Sequence, residues 1–307
     1  MKVFLLVALI FSNFIISCKA QDSLSYTNTE VVYGRKDGMA LTMFKLSPKA
    51  NSNGKAIISV VSGNWISSFT YATYLTTRAK IYVDKGYTVF VTMHGSQPRY
   101  AIPDEIVDLK RAVRFIRYNA KAYDIDPSHI GITGSSSGGH LSLMVGLSDD
   151  KPDNTSKDPI DNVSSRVQAV AVFFPPTDFL NWGQQNTNLV TAKAGLAAAG
   201  VASAFDYKEW NNTSKTYQSV TAPEKFAQIV QQTSPIYEVS SDDPPVFVIH
   251  GDADKTVPLQ QSETLVIKLK ATNVASQLII KKGGGHGWKN IEADEQNFVN
   301  WFDKYLK

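Results

Sequence analysis

The 307-residue sequence is 43% hydrophobic and 19% charged, which supplies a large buried core and excludes extensive disorder. Its 31 lysines and arginines against 28 aspartates and glutamates leave a formal charge of +3, too small a bias to indicate a polyanion-binding surface. With a single cysteine, Cys18, no intramolecular disulfide can form, and the length fits one α/β domain with insertions.

Lys2 precedes an apolar run over residues 3–11, then Ser12, Asn13 and the triplet Phe14-Ile15-Ile16. The run is shorter than the roughly 20 residues of a membrane-spanning helix and has the basic start of a secretory signal. Ile15-Ile16-Ser17-Cys18 resembles a bacterial lipobox, which implies cleavage after residue 17 and acylation of Cys18. Two or three acyl chains, at about 0.8 kcal/mol per buried methylene, would anchor the chain stably to an envelope membrane. Conventional cleavage after Ala20, giving a periplasmic or secreted protein, is the alternative. Residues 18–30 read as a polar tether and residues 31–307 as the catalytic domain.

Val31-Val32 and residues 41–46 flank a glycine-bounded turn, predicting an antiparallel hairpin at a sheet edge. Residues 56–61 form a continuous apolar run suited to a buried strand, residues 70–85 read as helix and 87–93 as the next strand. Pro103-Asp104 opens a helix whose apolar positions Ile106, Leu109, Val113 and Ile116 recur every three or four residues. Arg111, Arg114 and Arg117 lie on its polar side and are expected to face solvent. A strand at 129–133, a tight bend at 134–138 and a helix at 139–147 follow, then a polar loop over 148–165 and a strand at 168–174. The rhythm lapses over residues 180–232, predicted as a partly helical cap. It resumes with strands at 246–250 and 278–281 and helices at 261–269 and 291–305. Alternating strands and helices specify an α/β fold, a mostly parallel sheet with helices on both faces. Its ligand crevice is expected beyond the carboxyl ends of the strands.

The chemically informative residues fall at that edge. Gly134-Ser135-Ser136-Ser137-Gly138 matches the GxSxG nucleophile elbow, in which small neighbours let the central serine take strained dihedrals at a strand-to-helix turn. Ser136 is thus the candidate nucleophile. A serine hydroxyl needs a base, and of the five histidines only His286 stands in a glycine-rich loop between the last strand and last helix. His140 and His250 read as structural hydrogen-bonding residues. The orienting acid belongs between serine and histidine in chain order. Asp254 is the candidate, with Asp252 assigned to hydrogen bonding inside the same turn and Asp178 as the alternative.

Gly134-Ser135-Ser136-Ser137-Gly138, the aspartate turn over residues 250–258 and Gly285-His286-Gly287 together resemble the α/β-hydrolase superfamily over residues 30–307. The likeness is to its secreted bacterial esterases and lipases, akin to hormone-sensitive lipase and to polysaccharide side-chain esterases. It implies an α/β-hydrolase fold, hydrolysis of carboxylic esters through an acyl-enzyme, no cofactor and no metal, with Ser136, His286 and Asp254 as the triad. Relatives carry HGG or HGGG after the first central strand, whereas this chain has Ser62-Gly63-Asn64-Trp65. Backbone amides of Gly63, Asn64, Trp65 and Ser137 are therefore the candidate oxyanion donors. His94-Gly95-Ser96 mimics the missing motif but follows the next strand, and is expected to form a supporting or pocket-wall loop.

Trp65, Tyr100, Trp182 and Trp288 are candidate pocket residues, with Tyr71 and Tyr74 as further aromatics, although any of them can equally pack in the core. Export suits acetyl or feruloyl groups on polysaccharides, or small lipophilic esters, as substrates. An exported amidase or peptidase, and a non-catalytic ligand-binding protein on a hydrolase scaffold, are the competing readings. Neither nucleic acid nor a metal is an expected partner, since the formal charge is only +3 and HExxH spacing is missing from the sequence, as is a dinucleotide fingerprint.

Overall fold

The computed structural model describes residues 25–307, so the signal segment and Cys18 lie outside the described residues. The strands are β1 (Tyr26–Lys36), β2 (Met39–Pro48), β3 (Ala56–Val60), β4 (Thr88–Thr92), β5 (Ile130–Ser135), β6 (Ala169–Phe173), β7 (Lys208–Asn211), β8 (Thr216–Ser219), β9 (Val246–Gly251) and β10 (Ser276–Lys281). The helices are α1 (Phe69–Arg78), α2 (Lys80–Val83), α3 (Ile102–Tyr118), α4 (Ser137–Leu147), α5 (Lys193–Ala198), α6 (Pro223–Gln232), α7 (Pro235–Glu238), α8 (Gln260–Ala271) and α9 (Ile291–Tyr305). Eight strands form one sheet in the order β1-β2-β4-β3-β5-β6-β9-β10. From β4 to β10 all neighbours are parallel, and the β1–β2 hairpin joins β4 antiparallel. Chain order and sheet order reverse between β3 and β5, which opens the crevice expected beyond the carboxyl ends.

Two apolar layers cover the sheet. Buried residues of α3, α4 and α8 form one with β3, β5, β6 and β9, and those of α1, α2 and α9 form the other. The central strands β4 and β6 are buried throughout, which is why they read as unbroken apolar runs rather than as alternation. Phe298 and Phe302 of α9 are fully buried, each worth about 1.5–3 kcal/mol of burial.

Several expectations are corrected. β1 begins at Tyr26, so residues 26–30 belong to the sheet and not to a tether. Asp37-Gly38, with φ of 48° and 81°, makes its hairpin turn tighter than the sequence spacing implied. The helix expected over 70–85 divides at Ala79 into α1 and α2. Arg111, Arg114 and Arg117 do not simply face solvent. Arg111 pairs with Asp158 at 2.7 Å and Asp161 at 3.2 Å, Arg114 with Asp150 and the Val163 carbonyl, and Arg117 with the carbonyls of Pro127, Ser164 and Arg166. The polar loop after α4 is thereby fastened to α3, and carboxylates and carbonyls distant in sequence account for the arginine spacing.

Residues 180–232 contain α5, α6, short 3-10 turns and a two-stranded β7–β8 hairpin. The cap is therefore part helix and part hairpin. Its residues Leu196, Phe205 and Val230 are buried in the layer that holds α3 and α4, so it is seated by apolar contact rather than by loop closure alone.

Candidate active site

β5 delivers Ser136 at its carboxyl end and α4 begins at the next residue. Ser136 has φ 54° and ψ −124°, a strained conformation for a residue with a side chain. Its amide donates to the Phe173 carbonyl at 3.0 Å, which ties the bend to β6. A Cβ at Gly134 would lie 2.4 Å from the Gly138 carbonyl oxygen, so only glycine allows the turn to close this tightly.

The second element is the turn after β9. Asp254 Oδ1 accepts the Thr256 and Val257 N–H groups at 2.8 and 2.9 Å, an arrangement that aims Oδ2 at His286. Asp254 Oδ2 is 2.7 Å from His286 Nδ1 and 3.4 Å from His250 Nε2. Burial alone would raise this carboxyl, but hydrogen bonds from His250, His286 and the Val257 N–H outweigh it and hold the group well below the usual carboxylate range. His250 is fully buried, and its ring contacts Ser262 Oγ at 2.7 Å and the Val257 carbonyl at 2.9 Å. It thus has the structural role expected from sequence, and it also steadies the acid.

His286 sits in the loop between β10 and α9, with Nε2 2.8 Å from Ser136 Oγ. Since Nδ1 faces a carboxylate, that nitrogen carries the hydrogen and Nε2 is left to accept the serine proton. The Phe174 ring lies 4.5 Å from the imidazole, centroid to centroid. Trp288 donates Nε1–H to Asp294 at 2.7 Å and packs on Phe173 and Phe174. Asp252 accepts the Gly283 N–H at 2.6 Å, and Ala253 N donates to the Gly284 carbonyl at 2.8 Å. A Cβ at Gly251 would come 2.2 Å from that same carbonyl oxygen. The acid turn and the histidine loop are thus in backbone contact, with Asp252 linking them. Asp178 is elsewhere: it accepts the Leu180 and Asn181 N–H groups and the Asn181 side chain.

After β3 the chain makes a two-residue turn. Gly63 and Ile66 exchange both backbone hydrogen bonds at 2.9 Å, while Asn64 and Trp65 take φ of 53° and 55°. The Gly63 N–H is therefore engaged, which removes it from the expected oxyanion donors. Among the described residues the Asn64 and Trp65 N–H groups have no acceptor, nor has that of Ser137 in the first turn of α4. The Ser62 and Ser137 hydroxyls meet at 3.1 Å, joining the turn to the elbow helix.

The aromatic candidates are mostly supports. The Trp65 side chain is buried, donates Nε1–H to His140 Nδ1 at 3.1 Å and meets Phe179 and Phe205 edge-on, so it anchors the turn instead of lining an open pocket. Tyr100 bonds Asp37 at 3.1 Å beneath Lys36, in a cleft bounded by Arg99, Asp206 and Tyr217. Trp182 packs on the cap-side layer, and Trp288 braces the histidine loop. Tyr71 reaches Ser135 Oγ at 3.4 Å. Sequence reading missed Phe174, whose place just after β6 and before Pro175-Pro176 is a signal of position but not of contact.

The His94 loop supports the turn from behind. Ser96 Oγ accepts the Ser67 N–H at 2.7 Å, and the Gln97 N–H donates to the Trp65 carbonyl at 3.3 Å. His94 and Glu105 are buried 3.7 Å apart. Burial, then the nearby Asp108 and Asp104, pushes Glu105 up to about 10, and burial holds His94 down to about 4. Both are neutral near pH 7. Unfolding releases Glu105 to an ordinary carboxyl pKa of about 4.3, so above that pH the folded state holds a proton that the unfolded state has lost. Stability falls as pH rises from there towards the folded value. Glu105→Gln, which keeps the neutral shape, is expected to melt above wild type at pH 9, with the gap closing towards pH 5. Thermal melts of both proteins across pH check this, and a gap that does not grow with pH would refute it.

Residues 44–269 match the BD-FAE family. The chain is 29% identical to the probable carboxylic ester hydrolase LipM of Mycobacterium tuberculosis over 60% of this chain and 38% of that protein. It is 23% identical to esterase LipC of the same organism over 86% of this chain and 60% of that protein. The chain therefore spans less than two thirds of the length of these curated relatives. Among solved structures it is similar to a truncated form of a carbohydrate esterase from gut microbiota, with a TM-score of 0.65 and 27% identity, covering 91% of this chain and 98% of that one. With a sheet of α/β-hydrolase topology and a family match over most of its length, the chain belongs to the BD-FAE family of α/β-hydrolase-fold proteins.

Proposed function

We propose that this protein is a serine carboxylic ester hydrolase that acts on short-chain or polysaccharide-linked acyl esters. The observation that carries the reading is the continuous hydrogen-bonded line from Ser136 Oγ through the two nitrogens of His286 to Asp254, at 2.8 and 2.7 Å. Ser136 Oγ attacks the acyl carbon as His286 Nε2 takes its proton. The carbonyl oxygen becomes an oxyanion, received by the free N–H groups of Asn64, Trp65 and Ser137. Collapse of the tetrahedral species breaks the bond to the alcohol, which leaves with the proton from His286, and the acyl group remains on Ser136. Water then attacks this ester with His286 again as base, releasing the acid and restoring the serine. Asp254 holds the imidazole tautomer and stabilises its cation.

The carbohydrate esterase named among the similar structures favours sugar-linked acyl groups over long lipids. Acetyl, butyryl, octanoyl and feruloyl esters compared at matched concentration test this. Turnover is expected to be highest for acetyl and feruloyl esters and lowest for octanoyl. An octanoyl preference overturns the substrate class, and no turnover of any ester overturns the hydrolase reading.

From the lipobox-like Ile15-Ile16-Ser17-Cys18 we further propose that the chain is held in the cell envelope by lipid on Cys18. Among the described residues no helix is long and apolar enough to cross a membrane. Cys18→Ala is expected to move the protein from the membrane fraction to the soluble one, and an unchanged distribution would remove the lipoprotein assignment.

A further inference from the structure

The turn that carries the oxyanion donors is conformationally costly. Asn64 tolerates its φ of 53°, but a tryptophan at 55° is an outlier that neighbouring structure must impose. The peptide joining the two residues is planar and trans, so its carbonyl and its N–H point in opposite directions. Whatever grips the Asn64 carbonyl therefore aims the Trp65 N–H.

Gln97 makes that grip. Its side chain is buried, and Nε2 donates to the Asn64 carbonyl at 2.6 Å and to the Gly200 carbonyl at 3.0 Å. Both neighbours accept only, so the amide must present its NH2, and both hydrogens are used. Gly200 follows the end of cap helix α5, and Asn64 Nδ2 reaches the adjacent Ala199 carbonyl at 3.4 Å. Two side-chain amides thus join the turn to the cap.

We infer that Gln97 is a positioning residue for ester hydrolysis, orienting the Trp65 N–H towards the oxyanion and coupling that orientation to the seating of the cap at residues 199–200. The inference rests on the acyl-transfer reading of Ser136. Gln97 touches no reacting atom, so its contribution is expressed in transition-state stabilisation rather than in substrate binding.

The test uses the full chain, with turnover expressed per site titratable by a covalent serine reagent. Gln97→Ala is expected to lower kcat for an acetyl ester by about 10–100-fold, less than the loss of a whole oxyanion donor. KM is expected to change by no more than about threefold, as for an interaction made only in the transition state. Affinity for a trifluoromethyl ketone, whose adduct carries an oxyanion, is expected to fall in proportion to kcat. Gln97→Glu keeps the volume but sets a carboxylate against two carbonyls. Its deficit relative to wild type at the same pH is expected to shrink as pH falls, because a protonated carboxyl can again donate to Asn64. Should Gln97→Ala not fold, this pH dependence carries the test. Wild-type kcat and ketone affinity in Gln97→Ala, a loss confined to the number of titratable sites, or a pH-independent deficit in Gln97→Glu would each overturn the assignment while leaving the esterase reading intact. A wild-type protein with no turnover of any ester would overturn both.

Discussion

Replacing Ser136 by alanine is expected to lower kcat for an acetyl ester by about 10⁴–10⁶-fold while leaving the fold intact. Removing the nucleophile of such a triad abolishes the acyl-enzyme route and leaves only the residual acceleration from oxyanion donors and binding. The hydroxyl's hydrogen bond is to His286 Nε2, and the strained backbone at this position is set by its neighbours rather than by that bond. Alanine bears the same Cβ, so the melting temperature should stay close to wild type. Steady-state hydrolysis by the purified variant, with mass spectrometry of the protein after an organophosphate ester, provides the check. Loss of both turnover and the covalent adduct is the expected result. Activity within tenfold of wild type, or an adduct on another residue, would remove Ser136 from the mechanism.

Asp254→Asn is expected to cost about 10⁴-fold in kcat, with KM little changed. An asparagine amide facing His286 Nδ1 can donate a hydrogen there, which shifts the imidazole proton to Nε2 and presents Ser136 with a donor in place of an acceptor. The cation that forms during attack also loses its counter-charge. The buried carboxyl is held well below the ordinary range by its hydrogen bonds, so it stays ionised above about pH 4, the ordinary value of an aspartate. Its contribution to stability is complete above that pH and is lost only as the pH falls towards the folded value. Asp252→Asn and Asp178→Asn are the contrasts. The first bonds Gly283 and the second caps its own turn, so each is expected to cost less than about tenfold. A larger loss at either, with Asp254→Asn near wild type, would reassign the acid.

The parallel sheet was legible because its central strands are buried on both faces and read as unbroken apolar runs. The spacing of Ile106, Leu109, Val113 and Ile116 marked α3 for the same reason, as each is buried. Ser136, Asp254 and His286 were readable because each stands just beyond a strand, in a context of small residues or turn formers. The turn at Asn64-Trp65 was not readable in detail. Which of its amides is free depends on the reciprocal bonds between Gly63 and Ile66, and glycine alone gives no sign of them. Arg111, Arg114 and Arg117 misled because a helix period describes a face but not what lies on it, and apart from the Pro127 carbonyl their partners are 36–50 residues away in the chain. Aromatic residues misled similarly. Trp65, Tyr100 and Trp288 each have a polar partner for the indole or phenol, which only tertiary structure supplies.

The indole of Trp65 donates to His140 Nδ1, and His140 in turn donates Nε2–H to the Thr233 carbonyl at 2.7 Å. This arrangement exists only while the His140 ring is neutral, because protonation would place a hydrogen on the nitrogen that receives the indole. Burial holds that ring down to about 4. Acid inactivation consequently has two regimes. In mildly acidic solution the scaffold behind the oxyanion turn keeps its charge state, so the turn keeps the support of its indole there. Near pH 4 the histidine beneath the turn charges and the indole loses its acceptor, so the turn loses a support whatever the state of the catalytic groups.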